Sequence, residues 1–480
     1  MPVPSPASNA RSAAVKAYDI RGLVPDELDA DVARVAGSVL AALTRPTDAA
    51  DHPGVIVGRD ARTSSPELAA ALIDGVLDQG VDVTDIGLAS TDLVYYAAGT
   101  LEQPAAMITA SHNPGRYNGI KMCRAGAVPV SRDTGLGDIA AALDADEPLP
   151  ARQPRGTLQT ADLLSDYVGY LLRLVPLDGL RPLRVVVDAG NGMAGLTVPP
   201  VFAGTPVQVD GLYLELDGQF PNHDANPLDT TTLVDLQHRV RTTDADLGLA
   251  FDGDADRCFV VDERGELVTP SAITALIAQR ELERHPGAPI IYNLITSRAV
   301  REVIEESGGV GVRTRVGHSF IKATMAQTGA VFGGEHSGHY YFADFWRADS
   351  GLLAALHVLA ALGTTTPGTT LSSLVGTYER YARSGEVNST VADPFAVLQA
   401  AEQEFGARTG ITLDHTDGLT VSSAPWWFNL RPSNTEPLLR LNVEARDDGT
   451  MEAVRDEVLA FIADHAQQAG RDGPAREGEQ

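Results

Sequence analysis

Cysteine is nearly absent. Cys123 and Cys258 are the only two in 480 residues, too few for a disulfide framework and too far apart to read as a metal-binding pair. Long apolar runs are missing as well. No stretch approaches the roughly 20 consecutive apolar residues that a membrane-crossing helix needs, and residues 1–20 lack the apolar core of a secretion signal. Reduced thiols, no membrane segment and a cytoplasmic setting are therefore expected. Positive charge is also scarce, with 37 Lys plus Arg against 64 Asp plus Glu and a formal charge of −27. That balance excludes a general affinity for nucleic acid or anionic membrane, so an anionic ligand would need basic residues gathered locally. Lysine is scarcer still, occurring only as Lys16, Lys121 and Lys322.

A chain of this length exceeds one hydrophobic core and predicts three or four domains. Residues 55–58 (VIVG) read as a buried strand. Ser65 follows as an N-cap and Pro66 opens a helix with Leu68, Leu72 and Val76 on one face. Gly80 ends that helix, and a second strand spans 81–87. Strand, helix and strand in this order predict a right-handed crossover in a parallel sheet. The order recurs at 183–210 and 289–316. From 439 to 446, apolar and polar residues alternate as in a half-exposed antiparallel strand, and a helix is expected from Met451 to Gln467. The fold expected is α/β: three doubly wound α/β domains (1–155, 156–262, 263–374), then a smaller α+β domain (375–470), around a central cleft. The tail 471–480, and the start before Ala14, read as disordered.

Four loops carry chemistry. The first, Thr109-Ala110-Ser111-His112-Asn113-Pro114, follows the apolar run 105–108, at a strand's carboxyl end where open α/β sheets bind ligands. Alone it reads as an ordinary Ser/Asn/Pro turn. The second, Asp252-Gly253-Asp254-Ala255-Asp256-Arg257, places three carboxylates at alternate positions, able to converge on one hard cation. An EF-hand is the competing reading, with Glu263 at the twelfth place. It fails because Arg257 stands where glycine is required and Cys258 opens an apolar strand. Three carboxylates suit Mg²⁺, which keeps other ligands for phosphate and water. The third loop, 333–339 (GGEHSGH), offers groups for sugar hydroxyls, although a capped polar turn would look the same. The fourth, 431–437 (RPSNTEP), could surround a dianion with a guanidinium, hydroxyls and turn N–H groups, or be simply a rigid turn.

One such loop falls in each expected domain. With YDIRG at 18–22, these motifs make the chain resemble the α-D-phosphohexomutase superfamily, bacterial phosphomannomutase/phosphoglucomutase in particular, over residues 16–465. The resemblance implies an intramolecular phosphotransferase of the cytoplasm acting on hexose phosphates, with no nucleic acid or membrane partner. It implies phosphorylation of Ser111 and Mg²⁺ held by Asp252, Asp254, Asp256 and an oxygen of the phosphoserine. A hexose 1,6-bisphosphate serves as intermediate and activator. It places Tyr18, Arg21, His112, Lys121 and Arg257 around the phosphoserine, with Arg21, His112 and Lys121 counted as catalytic. Glu335 and Ser337 match the pair that reads the sugar's 3- and 4-hydroxyls, and His339 belongs to the same loop. Arg431, Ser433, Asn434 and Thr435, with His318 nearby, match the site for the non-reacting phosphate. The implied reaction interconverts mannose 6-phosphate and mannose 1-phosphate, with glucose phosphates also used.

Rival substrates are those of phosphoglucomutase and phosphoglucosamine mutase, and a rival class is a non-catalytic phosphosugar-binding protein. Two departures from the pattern bear on this. Residues 293–298 (NLITSR) contain no lysine where some members carry one, and His336 stands where close relatives often have Met. The rarity of lysine also singles out Lys121, ten residues after Ser111. A desolvated ammonium among other cations would have a lowered pKa and could exchange a proton, which a guanidinium does not.

Overall fold

In the computed structural model the described residues are 11–43, 54–145, 149–433 and 438–469. The expectation for the tail 471–480 lies outside them. The chain is described from Arg11 rather than Ala14, and Arg11 already pairs with Asp29 at 2.9 Å. Four sheets follow one another, and the first three are built alike. Strands Val55–Arg59, Val83–Leu88 and Ala105–Ile108 pair in parallel, linked by helices such as Ser65–Asp78. The return strand Tyr117–Arg124 then pairs antiparallel to Ala105–Ile108. In the second sheet Leu183–Asp188, Val207–Leu212 and Leu247–Phe251 are parallel and Cys258–Asp262 returns antiparallel. In the third, Pro289–Asn293, Val310–Thr314 and Phe332–Gly334 are parallel and Tyr340–Phe342 returns. The doubly wound units are thus present, but each sheet is mixed, which period-two patterning within single strands does not disclose.

Each return is made by one of the chemistry-bearing loops. The serine loop joins Ala105–Ile108 to Tyr117–Arg124, the aspartate loop joins Leu247–Phe251 to Cys258–Asp262, and the glycine-rich loop joins Phe332–Gly334 to Tyr340–Phe342. The three loops therefore sit at equivalent carboxyl edges. The fourth sheet is wholly antiparallel, and its loop joins Trp426–Pro432 to Leu438–Ala445.

Two local expectations need correction. The N-cap of the helix Ser65–Asp78 is Ser64, not Ser65, because Ser65 instead donates to Asp60 at 2.5 Å and accepts from Asn118 at 3.0 Å. In the last strand Glu444 is not half-exposed but buried, accepting from the Trp427 indole at 2.7 Å and from Arg298 N at 3.0 Å. The final helix runs Asp448–Ala469, longer than expected at both ends.

One apolar core runs through the first three sheets, from Ile56 through Val187 and Phe332 to Val375. The fourth sheet has its own core around Phe405, Phe428 and Leu441 and meets the third through a small cluster of Leu294, Ile295 and Trp427. Asp92 pins the larger body together. Fully buried, it accepts from Ser90, from Tyr167 at 2.6 Å and from Ser350 at 2.7 Å, three segments of the chain. Burial raises its pKa to about 6, against the opposing effect of those hydroxyls. An unfolded aspartate titrates near 3.9, so the stabilising protonation is complete below about pH 4 and is lost as pH rises through 6. At pH 7 the ionised group costs about 3 kcal/mol relative to its acid form. Asp92→Asn cannot ionise, and its melting temperature relative to wild type is expected to rise between pH 4.5 and pH 7.5. A difference that stays constant across that range would contradict the assignment.

Candidate active site

Ser111 occupies a strained position. Its φ is +52°, in the left-handed region that serine rarely adopts, and its backbone N–H is held by Thr109 Oγ1 at 2.9 Å. The strain is maintained from below by Arg62. This guanidinium is 1 % exposed and donates to the carbonyls of Ser111 (2.7 Å), Asn113 (2.7 Å), Pro114 (2.9 Å) and Tyr117 (3.0 Å). Asp60 pairs with it at 3.0 Å, and the ring of Phe220, from the loop after strand Val207–Leu212, lies 5.0 Å away. Reading the sequence missed Arg62. The available signal was its place just beyond the carboxyl end of strand Val55–Arg59, the same edge that carries Ser111.

The aspartate loop presses against the serine loop so closely that a Cβ at Gly253 would lie 2.5 Å from the carbonyl oxygen of Ser111. Glycine is required there by contact. Ser111 Oγ donates to Asp252 Oδ2 at 2.7 Å. Asp252, Asp254 and Asp256 are buried, and each offers an oxygen within 4.8 Å of the others. Burial, with repulsion from Asp256 and Asp254, holds Asp252 well above the usual carboxylate range. Two further oxygens, Asp254 Oδ1 and Asp256 Oδ1, are buried with no hydrogen-bond partner among the described residues. Unsatisfied buried carboxylate oxygens are costly, and a hard divalent cation is what this donor set fits. The EF-hand reading stays excluded, since Cys258–Asp262 is a strand and Glu263 caps Ser372.

Tyr18, Arg21, Lys121, Arg257 and His339 line the same cleft as Ser111. Arg21 bridges Asp19 (2.6 Å) and Asn113 (2.7 Å), while Arg257 lies 3.3 Å from Asp252 and 3.1 Å from the His112 ring. His112 Nδ1 is 3.3 Å from Ser111 Oγ, and burial, with nearby Arg257, Arg21 and Lys121, keeps its ring uncharged. Lys121 overturns an expectation. Its Nζ sits 2.6 Å from both Asp254 and Asp256. Burial alone would lower its pKa, but the two carboxylates outweigh burial and raise it. The ammonium is surrounded by anions, not cations. Lys322, which the sequence left without a role, is buried beneath the cleft against Asp349 (2.6 Å) and the Tyr95 ring.

The aspartate and glycine-rich loops are tied directly, by a bridge between Arg257 and His339 and by Cys258 N donating to Gly338 O at 3.1 Å. Glu335 is buried and accepts from Gly317 N (3.0 Å) and Tyr341 OH (2.8 Å). Burial alone would raise its pKa, but His339 and these donors hold it at about 2. His339 lies 3.5 Å from both Asp256 and Glu335. Although burial and Arg257 oppose its charging, the two carboxylates raise it to about 9. Ser337 Oγ lies 2.9 Å from His339 Nδ1. Arg431 reaches Glu386 at 3.0 Å, and Ser433 N donates to Leu438 O at 2.8 Å. Asn434 and Thr435 lie outside the described residues, as does the side chain of His318, whose backbone opens the helix His318–Thr328.

Sequence profiles of the phosphoglucomutase/phosphomannomutase α/β/α domains I, II and III match residues 12–148, 165–265 and 269–381, and that of the C-terminal domain matches 386–461. The chain is 40% identical over 456 residues to a phosphomannomutase of Salmonella montevideo, covering 93% of this chain and 98% of that one. It is also 40% identical to the phosphohexose mutases of Xanthomonas campestris, covering 94% and 98%. A solved phosphoglucomutase/phosphomannomutase family protein of Burkholderia thailandensis superposes with a TM-score of 0.85 at 32% identity, over 97% of this chain and 99% of that one. Four matched domains, a buried serine set against three aspartates, and relatives aligned nearly end to end converge: the chain belongs to the phosphoglucomutase/phosphomannomutase family and is an intramolecular phosphotransferase.

Proposed function

We propose that the protein is a phosphomannomutase, interconverting mannose 6-phosphate and mannose 1-phosphate through phospho-Ser111 and a hexose 1,6-bisphosphate, and using glucose phosphates as well. The observation that carries this reading is Ser111 Oγ at 2.7 Å from Asp252 within the aspartate cluster. Mg²⁺ bound by Asp252, Asp254 and Asp256 would neutralise charge on a transferring phosphoryl group. Arg21, Lys121 and Arg257 supply further positive charge around Ser111 and, with His112, hold the loop's polar face. Glu335 and Ser337 read sugar hydroxyls, and Arg431 with the 433–435 loop and His318 takes the second phosphate. The units 1–155, 156–262, 263–374 and 375–470 then act as four domains sharing one site. Buried, unpaired Cys123 and Cys258 support a cytoplasmic setting, and among the described residues no helix is long and apolar enough to cross a membrane.

The direct test is parallel turnover of mannose 1-phosphate, glucose 1-phosphate and glucosamine 6-phosphate. Mannose phosphate is expected to be used best and glucose phosphate appreciably, because hydroxyls 3 and 4 are common to both. Glucosamine phosphate is expected to be poor. A tenfold preference for it, about 1.4 kcal/mol of transition-state binding, would move the reading to the aminosugar branch.

Charge gives a second expectation. Each cation of the cleft faces a carboxylate, so the cluster turns net positive only with a divalent cation in place. At saturating Mg²⁺, kcat/KM should fall several-fold between low and physiological ionic strength, because salt screens the attraction between the metal-loaded cleft and a dianion. A flat profile would remove electrostatic focusing from the account.

A further inference from the structure

A second concave site lies away from the reaction cleft, in the seam between the third and fourth sheets. Its volume is about 390 Å³, and it shares no lining residue with the cleft of Ser111. One wall carries Arg298, Arg301 and Arg313, and the other carries the hydroxyls of Thr412, Ser422 and Ser423. Asp414 is the one carboxylate in the lining. In a chain of formal charge −27, three guanidiniums meeting in one lining concentrate what little positive charge there is, although Glu305 and Glu444 stand behind Arg301 and Arg298.

The bonding of these arginines leaves capacity for an anion. Arg298 spends its Nη hydrogens on carbonyl oxygens alone, those of Ser423 (2.9 Å), Ala424 (3.2 Å) and Trp426 (3.1 Å), while its backbone N–H takes Glu444 at 3.0 Å, so no carboxylate is hydrogen-bonded to its guanidinium among the described residues. Arg301 uses Nε toward Glu305 at 2.7 Å. Arg313 divides its Nη groups between Asp414 (2.8 Å) and Leu294 O (3.2 Å). A guanidinium has five donors, arranged to grip phosphate oxygens in pairs.

We propose that this seam binds a small phosphate-bearing metabolite, which bridges the third sheet to the fourth and thereby tunes substrate affinity. The bridge follows from the walls, since guanidiniums and hydroxyls reach the same anion from different domains. Communication follows from two contacts. Thr296, in the lining, donates to Asn293 Oδ1 at 2.8 Å, and Asn293 Nδ2 lies 3.3 Å from the His336 ring of the sugar-reading loop. The fourth sheet also carries Arg431. A ligand that favours one placement of that sheet changes substrate binding by its differential affinity for the two placements.

The test is equilibrium titration of the full-length protein with inorganic phosphate and, separately, with 3-phosphoglycerate, each with and without saturating glucose 1,6-bisphosphate to occupy the reaction cleft. Expected is one site that persists under the bisphosphate and is weakened at least tenfold in R301Q/R313Q, and likewise in S423D, which places a carboxylate in the seam without touching the arginines. Tighter binding of 3-phosphoglycerate than of phosphate identifies an organic ester as the ligand; equal binding identifies the phosphate group alone. The persisting ligand should shift KM for the hexose phosphate at least threefold in wild type and leave it unchanged in R301Q/R313Q. No binding under the bisphosphate, or binding that both folded variants retain, overturns the site. A KM that does not respond overturns the coupling.

Discussion

Ser111→Ala should lower turnover by about 10⁴-fold or more, the scale on which removal of a covalent nucleophile acts, while the protein melts as wild type does. The reasoning starts from the backbone. A serine at φ +52° costs energy unless the surroundings over-determine it, and here four carbonyls gripped by Arg62 and the contact with Gly253 do so. The conformation aims Oγ at Asp252, in a cluster with two further oxygens that lack hydrogen-bond partners among the described residues. Alanine keeps the backbone and removes only the acceptor. Purified wild type should carry substoichiometric phosphate at Ser111, and a trace of hexose 1,6-bisphosphate should shorten any lag by restoring it. The competing acceptor is His112, uncharged and 3.3 Å from Ser111 Oγ. Peptide mass spectrometry separates the two, because a phosphohistidine is lost in acid and a phosphoserine is retained. An alanine variant that turns over within tenfold of wild type, with acid-labile phosphate on His112, would sink the serine assignment.

Most of the candidate site was legible because each of its loops is local in sequence. Ser111 with His112 and the three aspartates are runs of a few residues, and a short loop at a strand's carboxyl end carries its own spacing. The three crossovers were legible for the same reason, since a parallel strand and its helix are neighbours along the chain. What stayed hidden depends on long-range packing. The antiparallel return of Cys258–Asp262 looks like any apolar strand until its partner Leu247–Phe251 is known. Glu444 alternates with apolar residues as an exposed position would, and only the arrival of Trp427 and Arg298 buries it. Lys121 was placed among the wrong neighbours, because the anionic Asp254 and Asp256 that flank it come from another domain, more than 130 residues away. Composition could not supply that.

Arg62 was hidden by the same distance, and its replacement is expected to be among the most damaging in the protein. Arg62→Met strands the Asp60 carboxyl without its counter-ion in a fully buried site, where burial already raises its pKa, and orphans the four carbonyls that the guanidinium holds. Removing one partner of a buried ion pair costs about 3–5 kcal/mol, so a clear fall in melting temperature should appear first. Turnover should also fall, by about 10² or more, because misplacing a reacting group by an ångström is enough for that. The two effects have different causes, and a second substitution separates them. Asp60→Asn combined with Arg62→Met removes the stranded carboxyl, so much of the lost stability should return. Nothing in the double variant grips the carbonyls of Ser111 and Asn113, so kcat and the phosphate content of Ser111 should stay low while KM changes less. Arg62→Lys should fall between them, keeping charge beside Asp60 but lacking the fork that reaches four acceptors. If the double variant regained both stability and turnover, Arg62 would be no more than a counter-ion for Asp60. A folded Arg62→Met with the kcat of wild type would show that the strained serine holds its geometry unaided.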